Sequence, residues 1–215
     1  MKIRYLGHSC FQITAKSGTT ILTDPYTKVG YELPMNLWTD IITVSHAHFD
    51  HNYTQATHGK VVINKTGKYS FNHVHITGIK SWHDEQQGAL RGENIIFKMK
   101  IDGMTVCHLG DLGEPCTAEL LEAIGNVDIL LLPIGGTYTI DAMQAKEYAD
   151  RLAPKKIIPM HFRPTDGTLD IAMENDFLTL YQAEEIEKVS NGEIHFELEN
   201  LDTGKKIIFM ERVKV

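Results

Sequence analysis

The sequence predicts an α/β protein that contains parallel strands, on three observations. Short apolar segments rich in β-branched residues run through the first half of the chain, a pattern typical of strands. Beyond residue 104, apolar strands alternate with helical patterns, which indicates parallel strands joined by helical crossovers. The 215 residues contain 42% hydrophobic side chains, enough for one complete core. We therefore expect a single domain over residues 1–215.

The chain opens with three predicted strands, Lys2–Tyr5, Cys10–Thr14 and Thr20–Leu22. Gly7 separates the first two, and Lys16-Ser17-Gly18 forms a turn between the second and the third. Because these connections are short, we expect the three strands to pair antiparallel.

The third strand stops at Asp24 and Pro25, because proline cannot continue a strand ladder. Asp24 is either a plain turn residue or a residue that orients ligands nearby. The next segment, 26–38, is predicted to be a loop that either covers a site as a lid or substrate wall or simply packs onto the domain. It carries large apolar residues, which are Tyr26, Tyr31, Leu33, Met35 and Trp38.

A dense cluster of metal-ligand residue types follows the predicted buried strand Ile41–Val44, in the order Ser45-His46-Ala47-His48-Phe49-Asp50-His51. Side chains on an extended segment repeat every two residues, so His46 and His48 point the same way and reach one metal ion. Asp50 and His51 are neighbours and cannot share that direction, which indicates a turn into a helix and a second ion nearby. Imidazole and carboxylate suit zinc, and also manganese, iron or nickel.

A third ligand must come from elsewhere to complete a zinc coordination shell. Residues Asn52–Thr57 are predicted to form a short helix, followed by strands at Lys60–Asn64 and Val74–Ile79. His83 lies just after the last of these strands, whereas His73 and His75 lie at its beginning, the wrong edge. The full set of candidates is His58, His73, His75, His83, His108, His161 and His195.

The second half begins with a predicted hairpin of Glu93–Ile101 and Met104–Leu109 around Asp102-Gly103, a strong turn dipeptide. The elements that follow are a helix capped by Thr117 and ending near Ile124, a strand Val127–Leu132, a helix from Thr139 or Asp141 to Leu152, a strand Lys156–Met160, and a closing hairpin of Glu193–Glu199 and Lys205–Val213.

Four predicted strands end in residues suited to a site, which are His46, Asp111, Gly135-Gly136 and His161. Ligands of open α/β sheets bind at the carboxyl ends of the strands. We therefore expect these residues to meet at one rim.

Composition narrows the function classes. The formal net charge of −7 disfavours a dedicated nucleic-acid binder, which usually has a basic face. Cys10, Cys107 and Cys116 fit neither a disulfide framework nor a zinc pattern, so we expect reduced thiols. Without an apolar leader or a run of membrane-spanning length, we expect a cytoplasmic protein with no membrane insertion.

These features together resemble the metallo-β-lactamase superfamily, in the motif His46-x-His48-x-Asp50-His51, the aspartate ending Cys107-His108-Leu109-Gly110-Asp111, the early Thr23-Asp24-Pro25 and the distal His161. Within it, the segments Tyr5-Leu6-Gly7-His8-Ser9, around His83, and Pro159-Met160-His161 resemble stand-alone bacterial hydrolases related to ascorbate-6-phosphate lactonase and N-acyl phosphatidylethanolamine phospholipase D. The resemblance covers nearly the whole chain and implies a four-layer αββα sandwich with the site at one edge.

The resemblance also implies two divalent metal ions, zinc first, with Mn²⁺, Ni²⁺ or Fe²⁺ as alternatives. The implied ligands are His46, His48 and His83 for the first ion, Asp50, His51 and His161 for the second, and Asp111 between them. Asp24 and His108 would support these ligands from behind, although packing within its strand is the favoured interpretation of His108. His8 matches a family position to which we assign no chemistry. Ala47 stands where the flavodiiron branch carries Glu, which disfavours di-iron redox chemistry.

The implied reaction is hydrolysis by a metal-bound hydroxide that is available near neutral pH. Asp50 would orient this nucleophile and pass a proton to the leaving group. Arg163 and Arg91 are candidate contacts for an anionic substrate group, and a solvated charge explains each of them equally well.

The favoured hypothesis is a metal-dependent hydrolase of a small lactone, ester or phosphorylated substrate. The first alternative is a phosphodiesterase or nuclease acting on nucleic acid, which a basic groove would favour. The second is a non-enzymatic metal-binding module, for which a closed coordination shell would be the sign. A homo-oligomer is compatible with all three.

Overall fold

A computed structural model describes residues 1–214, and its strands form two mixed sheets. The strands are β1 (Lys2–Gly7), β2 (Cys10–Thr14), β3 (Thr20–Thr23), β4 (Leu37–Thr43), β5 (Thr57–Ile63), β6 (Gly67–Phe71), β7 (Val74–Trp82), β8 (Glu93–Ile101), β9 (Met104–His108), β10 (Ile129–Pro133), β11 (Lys156–Met160), β12 (Ile186–Val189), β13 (Glu193–His195) and β14 (Ile207–Met210). The helices are α1 (Ala118–Ile124), α2 (Ala142–Leu152) and α3 (Asn175–Leu178), with short 3₁₀ turns at Thr54–Ala56, Ala183–Glu185 and Leu198–Asn200.

The first sheet has the strand order β13-β1-β2-β3-β4-β5, and the second has the order β12-β14-β11-β10-β9-β8-β7-β6. The predicted antiparallel opening is confirmed, since β1 pairs with β2 and β2 with β3 in antiparallel register. The predicted parallel strands are confirmed as well, since β10 lies parallel to both β9 and β11. Among the described residues, the structure contains no helix long and apolar enough to cross a membrane.

Strand β3 and the end of β4, in the middle of the first sheet, bury residues on both faces, because neighbouring residues on a strand point to opposite faces. Ile21 and Ile41 join the large core that also contains residues of the second sheet. Leu22 and Ile42 point the other way, into a smaller cluster. The segment after β3 covers that outer face with the buried side chains Tyr26, Val29 and Leu33.

The predicted α/β sandwich is confirmed, with one difference in its outer layers. Helix α1 packs against β7 and helix α2 against β10, both in the second sheet. The outer layer of the first sheet is instead made by the segment that follows β3. This segment packs onto the domain, which is one of the two alternatives predicted for it. Met35 and Trp38 remain 84% and 71% exposed, and Trp38 belongs to β4 rather than to a loop.

Several local predictions were right to within a residue or two, because local chemistry defines them. Thr117 caps α1 by accepting a hydrogen bond from Leu120 N. Asp141 caps α2 through a reciprocal capping box with Gln144. The hairpin of β8 and β9 turns at Asp102-Gly103.

Other predictions were wrong because strand pairing is non-local. The predicted closing hairpin does not form, since β13 pairs with β1 in the first sheet while β14 lies parallel to β11 and β12 in the second. The helix predicted at Asn52–Thr57 is reduced to the 3₁₀ turn Thr54–Ala56. Thr57 already begins β5, which pairs parallel with β4. Strands β6 and β12 and helix α3 were not predicted.

We expect Asp141→Ala to lower the free energy of unfolding by about 1 kcal/mol, the usual effect of removing a helix N-cap. Asp141 Oδ1 accepts from Gln144 N at 2.9 Å. Asp150→Ala, an exposed aspartate near the other end of the same helix that pairs with Lys146, should change stability by less than about 0.5 kcal/mol. Urea unfolding of the two variants measures the difference, and equal effects would contradict the capping role.

Candidate metal centre

The turn after β4 and the end of β7 bring three histidines together. The rings of His46 and His48 have centroids 4.6 Å apart, and the ring of His83 lies 4.7 Å from that of His46 and 5.1 Å from that of His48. One nitrogen of each ring lies within 4.8 Å of the others. The structure thus assembles the first of the two ligand sets that the sequence indicated.

A second group lies beside the first and consists of Asp50, His51, His161 and also His8. Their ligand atoms again lie within 4.8 Å of one another. The first three are the residues indicated by the sequence for a second ion. His8 was noted in the sequence without a role.

Asp111 lies between the two groups. Its Oδ2 is 3.3 Å from His83 Nε2 and 3.2 Å from His161 Nε2, and its Oδ1 is 3.1 Å from His51 Nε2. Two ligand atoms that are each about 2.1 Å from one tetrahedral ion lie about 3.4 Å apart. The carboxylate is therefore placed to share ions with histidines of both groups.

Several buried nitrogen and oxygen atoms of this cluster have no hydrogen-bond partner. Leaving one such atom unpaired lowers the stability of the fold by about 1–3 kcal/mol. The unpaired nitrogens that face Asp50 or Asp111 are His8 Nε2, His46 Nε2 and His51 Nε2, and Asp111 Oδ1 is unpaired as well, whereas His83 and His161 direct Nε2 to Asp111. Imidazole nitrogens and carboxylate oxygens are the ligands of zinc and of neighbouring transition metals. The residues present fit a metal centre.

Asp24 lies behind this cluster, at a backbone φ of 38°, and contacts both Ser45 and His51. It is fully buried. Its Oδ1 accepts from Ser45 N at 2.8 Å, and its Oδ2 accepts from Ser45 Oγ at 2.6 Å and lies 2.8 Å from His51 Nδ1. His51 Nδ1 donates to the carboxylate, so Nε2 is the nitrogen directed to the site. Burial alone would lower the pKa of His51, but Asp111 and Asp24 raise it well above its usual value, so a metal ion at Nε2 would displace a proton.

Asn94, at the start of β8, holds the Asp111 loop and was missed by sequence reasoning. Its Oδ1 accepts from Asp111 N at 3.0 Å, and its Nδ2 donates to Leu109 O at 2.9 Å. Gly110 between them has a φ of 58°, and a Cβ there would collide with the Asn94 amide. The only sequence signal was an asparagine directly before the apolar run Ile95-Ile96-Phe97.

Asp84 shapes the loop that follows His83 and was also missed. Its buried carboxylate accepts hydrogen bonds from four backbone N–H groups at 2.7–3.0 Å, those of Gln86, Gly88, Leu90 and Arg91. The loop therefore closes on itself and keeps His83 at the end of β7.

Burial and neighbouring charges set the protonation of the cluster. Burial lowers the pKa of His46 to about 3 and that of His8 to about 4. Burial alone would raise the pKa of Asp111, but His161 and His51 hold it well below its usual range. Neutral imidazole and ionised carboxylate are the forms that bind metal ions.

The remaining predicted residues lie elsewhere. His108 is buried in β9 and donates from Nε2 to Ser9 O at 2.8 Å, since its Nδ1 accepts from Gly110 N. Arg91 donates to Thr137 O at 3.1 Å, and Arg163 is half-buried just after His161. Four candidate histidines lie outside the ligand groups of the described residues, namely His58, His73, His75 and His195.

Comparison with known proteins matches residues 2–161 to a family described as the Beta-lactamase superfamily domain. A UPF0173 metal-dependent hydrolase of Carboxydothermus hydrogenoformans is 30% identical over 192 residues, which covers 75% of this chain and 84% of that protein. One of Thermococcus onnurineus is 29% identical over 191 residues, with the same coverage.

A crystal structure from Thermotoga maritima, described as a candidate Zn-dependent hydrolase of the metallo-β-lactamase superfamily, is similar over 99% of both chains. The TM-score is 0.80 and the sequence identity is 37%. The likeness therefore extends over both sheets, including the C-terminal part that lies beyond the matched family domain.

We expect Asp24→Asn to weaken metal binding by about 10- to 100-fold, the usual effect of changing a residue that orients a ligand. An amide has one acceptor oxygen where the carboxylate has two, so it cannot accept all the hydrogen bonds that Asp24 accepts from Ser45 and His51. Titration calorimetry with Zn²⁺ measures the change. The control is Asp40→Asn, at a carboxylate of β4 that accepts hydrogen bonds from Thr20 N and Lys60 Nζ. This variant should bind metal like the wild type. Unchanged affinity in Asp24→Asn would refute the orienting role.

Proposed function

Because the chain belongs to the metallo-β-lactamase superfamily and is a metal-dependent hydrolase of its UPF0173 group, we propose that it hydrolyses a small lactone, ester or phosphorylated substrate with two divalent metal ions. The observation that supports this proposal is the pair of ligand groups with Asp111 between them, 3.3 Å from His83 Nε2 of one group and 3.1 Å from His51 Nε2 of the other. We propose zinc as the ion, with Mn²⁺, Ni²⁺ or Fe²⁺ as alternatives, and a single hydrolase domain spanning residues 1–215.

The ligand assignment follows the two groups. The first ion would be held by His46, His48 and His83, the second by Asp50, His51 and His161, with Asp111 shared. When bound, two such ions activate water for attack near neutral pH and polarise a carbonyl or phosphoryl oxygen.

The chain's own residues determine how substrate meets this centre. His48 and Phe49 are exposed, whereas His51 and His161 are buried. Substrate therefore approaches from the side of the turn that carries His48. Asp50 is 13% exposed, so its carboxylate borders this opening and is placed to orient the attacking water and to carry a proton toward the leaving group.

An anionic substrate group would meet Arg91 or Arg163. Arg91 follows the loop organised by Asp84 and lies over the ring of Tyr138 at 5.8 Å, so its guanidinium is held beside the segment that contains Thr137 and Tyr138. The net charge of −7 favours a small substrate held by such local cations over a nucleic acid. The resemblance to ascorbate-6-phosphate lactonase supports a lactone among the substrates to be tested first.

Three free cysteines support the proposed cytoplasmic location.

We expect His48→Ala or Asp111→Ala to lose at least one metal equivalent and nearly all hydrolysis, because each removes a ligand atom that no neighbour replaces. Asp50→Ala should reduce turnover more than it reduces metal at the first group. Metal analysis after gel filtration and steady-state kinetics are the measurements. Asp202→Ala, an aspartate that is 72% exposed, serves as the control. Full activity of Asp111→Ala with unchanged metal content would contradict the assignment of Asp111 as a metal ligand.

The substrate class is tested with the metal-loaded protein on an aryl phosphodiester, an aryl ester and a γ-lactone, with Asp50→Ala as the blank. We expect turnover of the ester or lactone that chelation abolishes and added Zn²⁺ restores. Turnover of the phosphodiester alone would shift the function to phosphodiester or nucleic-acid cleavage. No turnover of any of the three would favour a non-enzymatic metal-binding module.

A further inference from the structure

The turn between β1 and β2 places His8 in the centre of the molecule. His8 has a backbone φ of 52°, a left-handed conformation that is uncommon for residues other than glycine. Its side chain is 1% exposed. Strained residues of this kind persist only where the surroundings hold them in place, and they cluster at functional sites.

Four hydrogen bonds hold the His8 backbone and its neighbour. Tyr31 Oη accepts from His8 N at 3.0 Å, and Tyr5 Oη donates to His8 O at 3.0 Å. His161 N also donates to His8 O, at 2.9 Å. The next carbonyl, Ser9 O, accepts from His108 Nε2 at 2.8 Å. The second sheet therefore holds this turn of the first sheet in a fixed position.

The imidazole of His8 points into the second ligand group. Its Nε2 lies 3.3 Å from Asp50 Oδ2, and its ring centroid lies 4.3 Å from that of His161 and 5.0 Å from that of His51. The same Nε2 is buried without an aligned hydrogen-bond partner. The 3.3 Å separation falls within the roughly 3.0–3.4 Å expected between neighbouring ligand atoms that are each about 2.1 Å from one ion.

We propose that His8 Nε2 is a further protein ligand of the ion held by Asp50, His51 and His161. The inference rests on the two-ion centre of the proposed function. It makes the two groups unequal, since the first consists of three histidines and the second of three histidines and a carboxylate, with Asp111 shared by both. Counting Asp111, the first ion would have four protein ligands and the second would have five. The second ion would therefore be the more tightly held.

The test is His8→Asn, because asparagine tolerates positive φ better than most residues and its short amide does not reach as far as imidazole Nε2. We expect wild-type protein to retain two Zn²⁺ equivalents after gel filtration and His8→Asn to retain one. The affinity for the second ion, the one held by Asp50, His51 and His161, should fall by more than about 100-fold, beyond the 10- to 100-fold of residues that only orient ligands. The d–d spectrum of the Co²⁺ form should change, because it reports the number of ligands.

The matched control is His73→Asn, the same substitution at an exposed histidine whose φ is also positive, 68°. It should bind metal like the wild type. Thermal unfolding of the chelated proteins checks that the turn still folds, and His8→Gly, which relieves the strained φ, replaces His8→Asn if that variant does not fold.

Metal binding is measured without substrate, so the two proposals fail separately. Two equivalents at wild-type affinity in His8→Asn, or a loss of less than tenfold with an unchanged Co²⁺ spectrum, would overturn the ligand role and leave the hydrolase intact. A wild type that binds two ions but hydrolyses nothing would overturn the proposed function and leave His8 as a ligand.

Discussion

The burial of imidazole and carboxylate groups without hydrogen-bond partners is the constraint on which the rest of this structure depends. Such atoms are costly inside a protein, and here they converge from the ends of strands in both sheets. The surrounding fold holds these side chains in place but does not supply hydrogen-bond partners for these atoms. Asp24, Asn94 and Asp84 are buried polar residues whose hydrogen bonds all serve to hold the ligand-bearing turns. The interior is therefore organised to leave the ligand atoms free.

Sharp turns at the strand ends make this convergence possible. His8, Asp24, Gly110 and His161 all have positive φ, and each stands within one or two residues of a strand end. Turning the chain there directs the side chains of His8, Asp24 and His161, and that of Asp111 after Gly110, to the shared edge. The left-handed conformations are the local cost of a site built from several strands at once.

Helix and hairpin boundaries were predictable where their causes lie within a few residues. The capping box of Asp141 and Gln144 and the turn at Asp102-Gly103 are local devices, and the structure has both where they were expected. The apparent closing hairpin failed because its two strands join different sheets. Which sheet a strand joins depends on which edge is available, and that information is spread over the whole chain.

The sequence by itself determined the fold class and the ligand types that cluster between His46 and His51, because spacing along a strand and the preferences of metal ions act locally. It also placed His83, Asp111 and His161 at strand ends. The two sets around Asp111 were implied by the family resemblance and not by spacing. Only the tertiary structure decided that these residues lie within reach of one another and that His8, from a turn 38 positions before His46, joins one of the groups. The reason is physical: a contact between distant segments depends on sheet pairing and strained turns, neither of which leaves a periodic pattern in the sequence.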